Sequence, residues 1–239
     1  MKKAVIITGA GSGIGEATCL EFASNGFFVF LLGRRLEALK QVLDQIKNNG
    51  LILVCDLTDP ASVKQAIQKI FSTSDTHVTA LVNNAGIFKR QSFESSTDEL
   101  WLDQFNTNLF GAVRITREVF PYFKKQKQGS ILNVSSTLGL SPAANISAYS
   151  ASKAAMVNWT QTLALEGGPL GIRANCVCPG IVDTPIHAGQ DLSSFQTLQP
   201  LQRTGTSAEI AKAIYFLSSE ASAWTTGAVL SVDGGINLL

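Results

Sequence analysis

Short apolar runs alternate with amphipathic stretches along the first third of the chain. The runs are apolar throughout, as in strands buried on both faces of a sheet, and the segments between them show helical spacing. Repeated strand–helix alternation is typical of a doubly wound parallel sheet and argues against repeats or separate domains. We therefore predict an α/β fold. The first four predicted strands cover residues 3–7, 27–32, 51–55 and 78–82.

The alternation continues to the end of the chain, so we predict a single domain over residues 1–239. The later predicted strands cover residues 131–134, 171–180 and 229–232, and the later helices residues 147–166 and 208–217. An irregular segment over residues 183–203 is long for a compact domain, which is typical of a substrate-binding loop or lid.

A long helical pattern over residues 97–127 has unsuitable residues in its interior. Asn106, Asn108 and Gly111 are poor helix formers, yet they lie in the middle of the pattern. Such an interruption indicates a kink or a ligand contact.

Composition excludes several classes of partner. The chain has 45% hydrophobic and 15% charged residues with a net charge of +1, which gives no electrostatic reason to expect nucleic acid or an anionic membrane. The N-terminal apolar run is too short for a signal peptide or a membrane span, so we expect a cytoplasmic protein. The four cysteines include no C-x-x-C, and the two histidines have no ligand-like spacing, so we expect reduced core thiols and no metal.

A glycine-rich turn separates the first predicted strand from the helix that follows it. Gly9, Gly13 and Gly15, with Ser12 and Ile14, form this turn. Glycines allow a close backbone approach to a pyrophosphate, and N–H groups at a helix start bind it. The alternative is a tight turn without a ligand, because a lone glycine turn is a weak signal.

The end of the second predicted strand bears on cofactor choice. An NAD-preferring site has an acidic residue there, but this chain has Gly33 followed by Arg34 and Arg35. Guanidinium groups suit a 2′-phosphate, so we expect NADP(H), with NAD(H) still possible. The alternative is that both arginines only form a solvated helix start. Asp56, at the end of the third strand, is a candidate contact for the adenine.

Three polar residues in the middle of the chain form a candidate catalytic group. Tyr149 and Lys153 lie four residues apart in a predicted helix, so their side chains share one face. A phenol has a pKa of about 10, and a nearby ammonium would stabilise its phenolate. Ser136 follows a predicted buried strand, where a hydroxyl opens onto the ligand crevice. The alternative is an exposed helix pair and an ordinary turn serine.

Together these motifs resemble the short-chain dehydrogenase/reductase family over essentially the whole chain. The resemblance rests on T-G-x-x-x-G-x-G at residues 8–15, N-N-A-G at residues 83–86, and the spacing of Ser136 from Tyr149. It implies strand order 3-2-1-4-5-6-7, commonly a homotetramer, and hydride transfer between a nicotinamide and a carbonyl or secondary alcohol. With NADPH we expect reduction.

The resemblance also implies the site residues. The catalytic tetrad would be Asn108, Ser136, Tyr149 and Lys153. Tyr149 would be the acid or base, Ser136 would bond the substrate oxygen, and Asn108 would order a proton-relaying water. Lys153 would hold the nicotinamide ribose and lower the tyrosine pKa. Cofactor contacts would come from Gly9, Ser12, Gly13, Ile14, Gly15, Arg34, Arg35, Asp56, Leu57, Asn84, Ala85, Gly86, Tyr149, Lys153, Pro179, Gly180, Val182 and Thr184.

The substrate is less well specified by the sequence. We expect a small ketone or alcohol that contacts Ser136 and Tyr149 in a pocket lined by apolar residues such as Leu138 and Ile186. The closing residues resemble 3-ketoacyl-acyl-carrier-protein reductases, which is the second hypothesis. Ser130 and Leu170 replace basic residues that these reductases often use to dock the carrier. An NAD-linked sugar or alcohol dehydrogenase and a non-catalytic nucleotide-binding scaffold are further alternatives.

Overall fold

A computed structural model describes residues 1–187, 189 and 191–238. Its centre is a parallel seven-stranded sheet in the order β3-β2-β1-β4-β5-β6-β7, which confirms the predicted fold class and strand order. The strands are β1 (Lys2–Thr8), β2 (Phe28–Gly33), β3 (Gly50–Val54), β4 (Thr76–Asn83), β5 (Gly129–Val134), β6 (Ile172–Pro179) and β7 (Val229–Val232).

Seven α-helices connect or follow the strands in the part of the chain that is described. They are α1 (Gly13–Ser24), α2 (Leu36–Gln45), α3 (Pro60–Phe71), α4 (Asp98–Phe105), α5 (Gly111–Gln126), α6 (Ser147–Gly167) and α7 (Ser207–Ser218). None of these helices is long and apolar enough to cross a membrane.

The sheet has a separate apolar core on each face. Successive strand residues point to opposite faces, so Ile6 joins the core under α3, α5 and α6. Its neighbour Ile7 joins the core under α1, α2 and α7. This two-sided burial explains why the strands are apolar runs rather than alternating patterns.

The predicted interruption of the long helical stretch is present. Residues Asn106–Phe110 form a single π-helical turn between α4 and α5. Asn108 in this turn is fully buried. A π-turn of this kind commonly marks a functional position, because it moves one side chain out of the regular helical register.

The structure corrects the position assigned to Ser130. We expected this residue just before the fifth strand, but it lies inside β5 and its hydroxyl donates to the Leu217 carbonyl at 3.5 Å. The residues directly before β5 are Lys127 and Gln128. A basic side chain therefore does stand next to the start of this strand.

The carboxyl ends of β1 and β4 are joined by one buried hydroxyl. Thr8 Oγ1 accepts hydrogen bonds from the Asn84 N–H at 3.0 Å and the Ala85 N–H at 3.1 Å. The Asn84 side chain in turn donates to the Thr8 carbonyl at 3.0 Å. Because the sheet order reverses at β1, this is the switch point where ligands bind in α/β sheets.

We predict that Thr8→Val destabilises the protein by about 1–3 kcal/mol, because two backbone N–H groups lose their acceptor. Thr8→Ser keeps the hydroxyl and serves as the matched control. The free energy of unfolding in urea measures both changes. Equal stabilities of Thr8→Val and Thr8→Ser would contradict this account of the switch point.

Candidate active site

One cavity of about 680 Å³ opens at the carboxyl ends of the strands. This volume lies in the range of small-molecule and cofactor sites. Most of the predicted site residues line it. They are Gly9, Ser12, Gly13, Ile14, Arg34, Arg35, Asp56, Leu57, Asn84, Ala85, Gly86, Ser136, Leu138, Tyr149, Lys153, Pro179, Gly180, Val182, Thr184 and Ile186. Gly15 and Asn108 do not line the cavity, and both lie behind its wall.

The glycine turn needs its glycines for steric reasons. Gly9 has a φ of +65°, and a Cβ there would lie 2.9 Å from the Ala85 Cα. A Cβ on Gly15 would lie 2.1 Å from the Gly9 carbonyl oxygen. Gly15 therefore allows α1 to pack tightly against the turn, although it does not face the cavity.

The start of α1 fits a phosphate group. Ser12 is the N-cap residue, but its side chain makes no capping hydrogen bond to the helix. The first N–H groups of α1 therefore lack a side-chain acceptor, which is the arrangement that binds pyrophosphates at helix starts. Thr184 lies on the far side of this turn, where a Cβ on Gly13 would be 3.3 Å from it.

Two arginines and one aspartate line one end of the cavity, where the family resemblance would place the adenosine of a cofactor; we call it the adenosine end. Arg35 donates to the Ser12 hydroxyl at 3.1 Å, so its guanidinium lies beside the glycine turn. The Thr58 N–H and hydroxyl both bond Asp56 Oδ1, at 2.9 and 2.8 Å. These bonds, with a smaller effect of Arg34, hold the pKa of Asp56 below its ordinary value. Two exposed guanidinium groups therefore lie at this end of the cavity, and such groups suit a 2′-phosphate.

The catalytic candidates lie at the opposite end of the cavity. Tyr149 and Lys153 share the buried face of α6, and Lys153 Nζ is 5.7 Å from the Tyr149 ring centroid. The ammonium donates to the Val134 carbonyl at 2.9 Å, which fixes it under the end of β5. Ser136 follows β5 directly and is also buried. The structure thus brings Ser136, Tyr149 and Lys153 into one group.

Burial controls the protonation of this group. Desolvation raises the pKa of Tyr149 to about 12, although a hydrogen bond with Ser136 partly opposes the rise. Desolvation also lowers the pKa of Lys153 to about 8. The raised pKa reflects the burial of the phenol, and the expected lowering of the tyrosine pKa by Lys153 stays a prediction. A phenol that holds its proton at neutral pH is suited to act as an acid.

Asn108 is placed to support the site rather than to line it. Its Oδ1 accepts from the Ile87 N–H at 2.7 Å, and its Nδ2 donates to the Ile87 carbonyl at 3.0 Å. A Cβ on Gly86 would lie 3.2 Å from Asn108 Oδ1 and 3.6 Å from Lys153 Nζ. Asn108 therefore fixes the chain after β4 directly beside the lysine.

The sequence analysis missed several residues of the cavity. Phe88 packs edge-on against Tyr149, with ring centroids 4.9 Å apart, and His187 lies on the other side of Phe88 at 6.1 Å. Phe88 follows the N-N-A-G motif closely in the sequence, and His187 follows Thr184 closely. This sequence proximity could have identified both as cavity residues. Further lining residues are Arg90, Thr107, Ala143, Ala144, Ile146, Leu192, Phe195, Leu198 and Ile236.

The segment over residues 183–203 forms one wall of the cavity. Pro185–His187 and Ser193–Leu198 are short 3₁₀ turns, and Ile186, Phe195 and Leu198 line the cavity from this side. Residues 188 and 190 of the predicted substrate segment lie outside the described residues.

Comparison with known proteins agrees with this geometry. The family described as "short chain dehydrogenase" matches residues 3–193. The 3-oxoacyl-[acyl-carrier-protein] reductase FabG of Thermotoga maritima is 35% identical, over 98% of this chain and 97% of that protein. A solved structure of ElxO with NADP bound has a TM-score of 0.94 and 33% identity, covering all of both chains. A 3-ketoacyl-(acyl-carrier-protein) reductase from Brucella melitensis complexed with NADH has a TM-score of 0.93 and 33% identity, covering 99% of this chain and 98% of that chain.

These matches define the class of the protein as an NAD(P)-dependent oxidoreductase that acts on carbonyl or alcohol groups. The chain belongs to the short chain dehydrogenase family, which the sequence motifs predicted. Its similarity to 3-oxoacyl-carrier-protein reductases extends over nearly the whole chain.

We predict that Lys153→Met increases the free energy of unfolding at pH 7 by about 1–2 kcal/mol. Keeping the ammonium charged in the folded protein costs about 3 kcal/mol, and the lost bond to Val134 offsets part of the gain. Because the pKa of Lys153 falls from 10.5 to about 8 on folding, the unfolded chain binds more protons between these values. The free energy of unfolding of the wild type therefore rises relative to that of the variant as the pH increases from about 8 to 10.5.

Urea unfolding of wild type and variant at pH 7 and pH 10 measures this effect. Lys212→Met removes an exposed lysine from α7 and is the matched control for the loss of a lysine side chain. The contrary result is a Lys153→Met protein that is less stable than wild type by the same amount at pH 7 and pH 10. It would show that burying the charged ammonium does not lower the free energy of unfolding.

Proposed function

We propose that the protein reduces a ketone to a secondary alcohol with NADPH and that Tyr149 donates the proton. The observation that carries the proposal is that the glycine turn and the buried Ser136–Tyr149–Lys153 group open onto the same cavity. A dinucleotide that begins at the turn would extend towards the tyrosine.

The chain's own residues have separate parts in this reaction. NADPH, when bound, supplies the hydride that the carbonyl carbon receives. Tyr149 gives its phenol proton to the carbonyl oxygen, while the Ser136 hydroxyl donates a hydrogen bond to the same oxygen. Lys153 binds the nicotinamide ribose and stabilises the phenolate that remains.

The proton on Tyr149 must then be replaced from solvent. Lys153 is the nearest cation, and Asn108 lies beside it, so these two residues would begin the path along which a proton returns. Through its bonds to Ile87, Asn108 also keeps the backbone at Gly86 close to the lysine. The proposed part of Asn108 in proton transfer rests on the family resemblance.

The remaining features of the proposal concern assembly and location. We propose a homotetramer in the cytoplasm, in which residues 1–239 form one domain and residues 183–203 contact the substrate. The family resemblance supports the tetramer. All four cysteines are buried and free, which agrees with a reducing compartment.

A 3-oxoacyl group on an acyl carrier protein is the second candidate substrate. The similarity to the Thermotoga maritima reductase favours it, as does Lys127, which lies two residues before the first residue of β5. At the second position the chain has Leu170, which is not basic and lies two residues before the first residue of β6. Turnover of a 3-oxoacyl carrier protein at least about tenfold more efficiently than its N-acetylcysteamine thioester would show that the carrier is recognised.

Tyr149→Phe should lower kcat for NADPH-dependent ketone reduction by about 10²–10⁴-fold, because the proton donor is lost. The affinity for NADPH, measured by fluorescence titration, should change little, since the aromatic ring of residue 149 remains. Tyr122→Phe removes a hydroxyl outside the cavity and is the control. Wild-type activity in Tyr149→Phe would contradict the proposed mechanism, and absence of nucleotide binding in the wild type would refute the function as a whole.

The arginines at the adenosine end predict the cofactor preference. We expect NADPH to bind at least about tenfold more tightly than NADH, and Arg34→Ala to remove most of this preference by weakening NADPH alone. Fluorescence titration with both nucleotides measures the ratio. Arg117→Ala, on the outer surface of α5, is the control. Tighter binding of NADH to the wild type would instead favour the NAD-linked dehydrogenase.

A further inference from the structure

One cation of the cavity has no part in the reaction described above. Arg90 lines the cavity on the loop that follows β4. The other lining residues that can carry positive charge are Arg34 and Arg35 at the adenosine end, Lys153 beside the tyrosine, and His187. Asp56 is the single acidic residue among the described lining residues, and it lies with Arg34. The substrate end of the cavity therefore has positive charge without a carboxylate.

Arg90 lies two residues along the chain from an aromatic side chain that packs on Tyr149. Phe88 packs directly on the Tyr149 ring, and Arg90 follows two residues later. Two residues of chain span at most about 7 Å, so the backbone of Arg90 lies within that distance of Phe88. A substrate whose carbonyl meets Tyr149 can therefore extend past Phe88 towards the arginine.

The loop that carries Arg90 is hydrogen-bonded to the loop that leads into α6. The Gln91 N–H donates to the Asn145 carbonyl at 2.8 Å. Asn145 follows Ala143 and Ala144, which line the same cavity, and precedes Ile146, which also lines it. This bond positions the arginine against the loop that leads into α6.

Arg90 is available for a ligand. The preceding residue, Lys89, is paired with Asp103, and so its charge is already compensated. Arg90 itself makes no hydrogen bond or ion pair with any residue in the described ranges 1–187, 189 and 191–238. A guanidinium offers a planar fork of donors that fits carboxylate and phosphate oxygens.

Part of the same cavity is apolar. Leu138, Ile146, Ile186 and Phe195 are among the residues that line it. A ligand that satisfies both features has an apolar body and an oxyanion at one end.

We infer that Arg90 determines substrate specificity by binding an oxyanion on the substrate, several bonds away from the carbonyl that is reduced. This inference rests on the proposed function and adds the chemical class of its substrate. The oxyanion has two possible sources: the carboxylate of a small keto acid, or the phosphate of a pantetheine arm that carries a 3-oxoacyl group.

Two pairs of ketones distinguish these sources, with NADPH oxidation as the measurement. The first pair is 5-oxohexanoate and its primary amide. The second pair is acetoacetyl-4′-phosphopantetheine and acetoacetyl-pantetheine. In each pair the two compounds differ chiefly in the charged group, so the ratio of their kcat/KM values reports recognition of the anion.

We expect the wild type to favour the anionic member of one pair by about tenfold. Arg90→Gln should bring that ratio close to one, and Arg90→Glu should invert it. Arg90→Lys should give an intermediate ratio, because a lysine supplies the charge without the bidentate fork. Arg117→Gln, an exposed arginine outside the cavity, should keep the wild-type ratio. The pair that shows the preference identifies the source of the oxyanion.

The outcomes separate this inference from the proposed function. Reduction of both members of each pair with a wild-type ratio near one would overturn the role of Arg90 and leave ketone reduction standing. A preference for the anionic ketone that persists in Arg90→Gln would also overturn the role of Arg90. Failure to reduce any of the four ketones with either nucleotide would refute the proposed function and this inference together.

Discussion

The close approach of the β1 turn to the end of β4 is the constraint on which the site depends. No side chain fits on Gly9 or Gly15, because each is in contact with backbone of the turn or of the segment after β4. The hydroxyl of Thr8 then joins the two strand ends by accepting from both Asn84 and Ala85. This contact sets the phosphate end of the cavity and, through the same stretch of chain, the backbone beside Lys153. A single packed junction therefore links the glycine turn to the backbone beside Lys153.

Local sequence patterns were sufficient to predict the framework. Strands buried on both faces give continuous apolar runs, which the sequence shows directly. The order of the strands followed from the family resemblance rather than from these patterns. The Tyr149–Lys153 pair was predictable because helical spacing alone places both residues on one face.

Properties that arise from contacts between distant segments could not be predicted. Burial of Tyr149 depends on packing against Phe88, from another strand end, so the direction of its pKa shift was not accessible from the sequence. Asn108 lies behind the cavity because its π-turn directs it to the Ile87 backbone. Ser130 was placed outside β5 because strand ends depend on pairing with neighbours, which a single run of residues does not reveal.

The backbone hydrogen bond between Gln91 and Asn145 limits which walls of the cavity can change shape when residues are substituted. It closes the cavity on two sides into a fixed frame that also carries the tyrosine helix. The third side, after β6, is a segment whose two ends are joined by the short bridge between Val182 and Gly205. Substitutions there can reshape the pocket without disturbing the frame. New substrate ranges in descendants of this chain would therefore arise first in that third wall, while the catalytic residues stay unchanged.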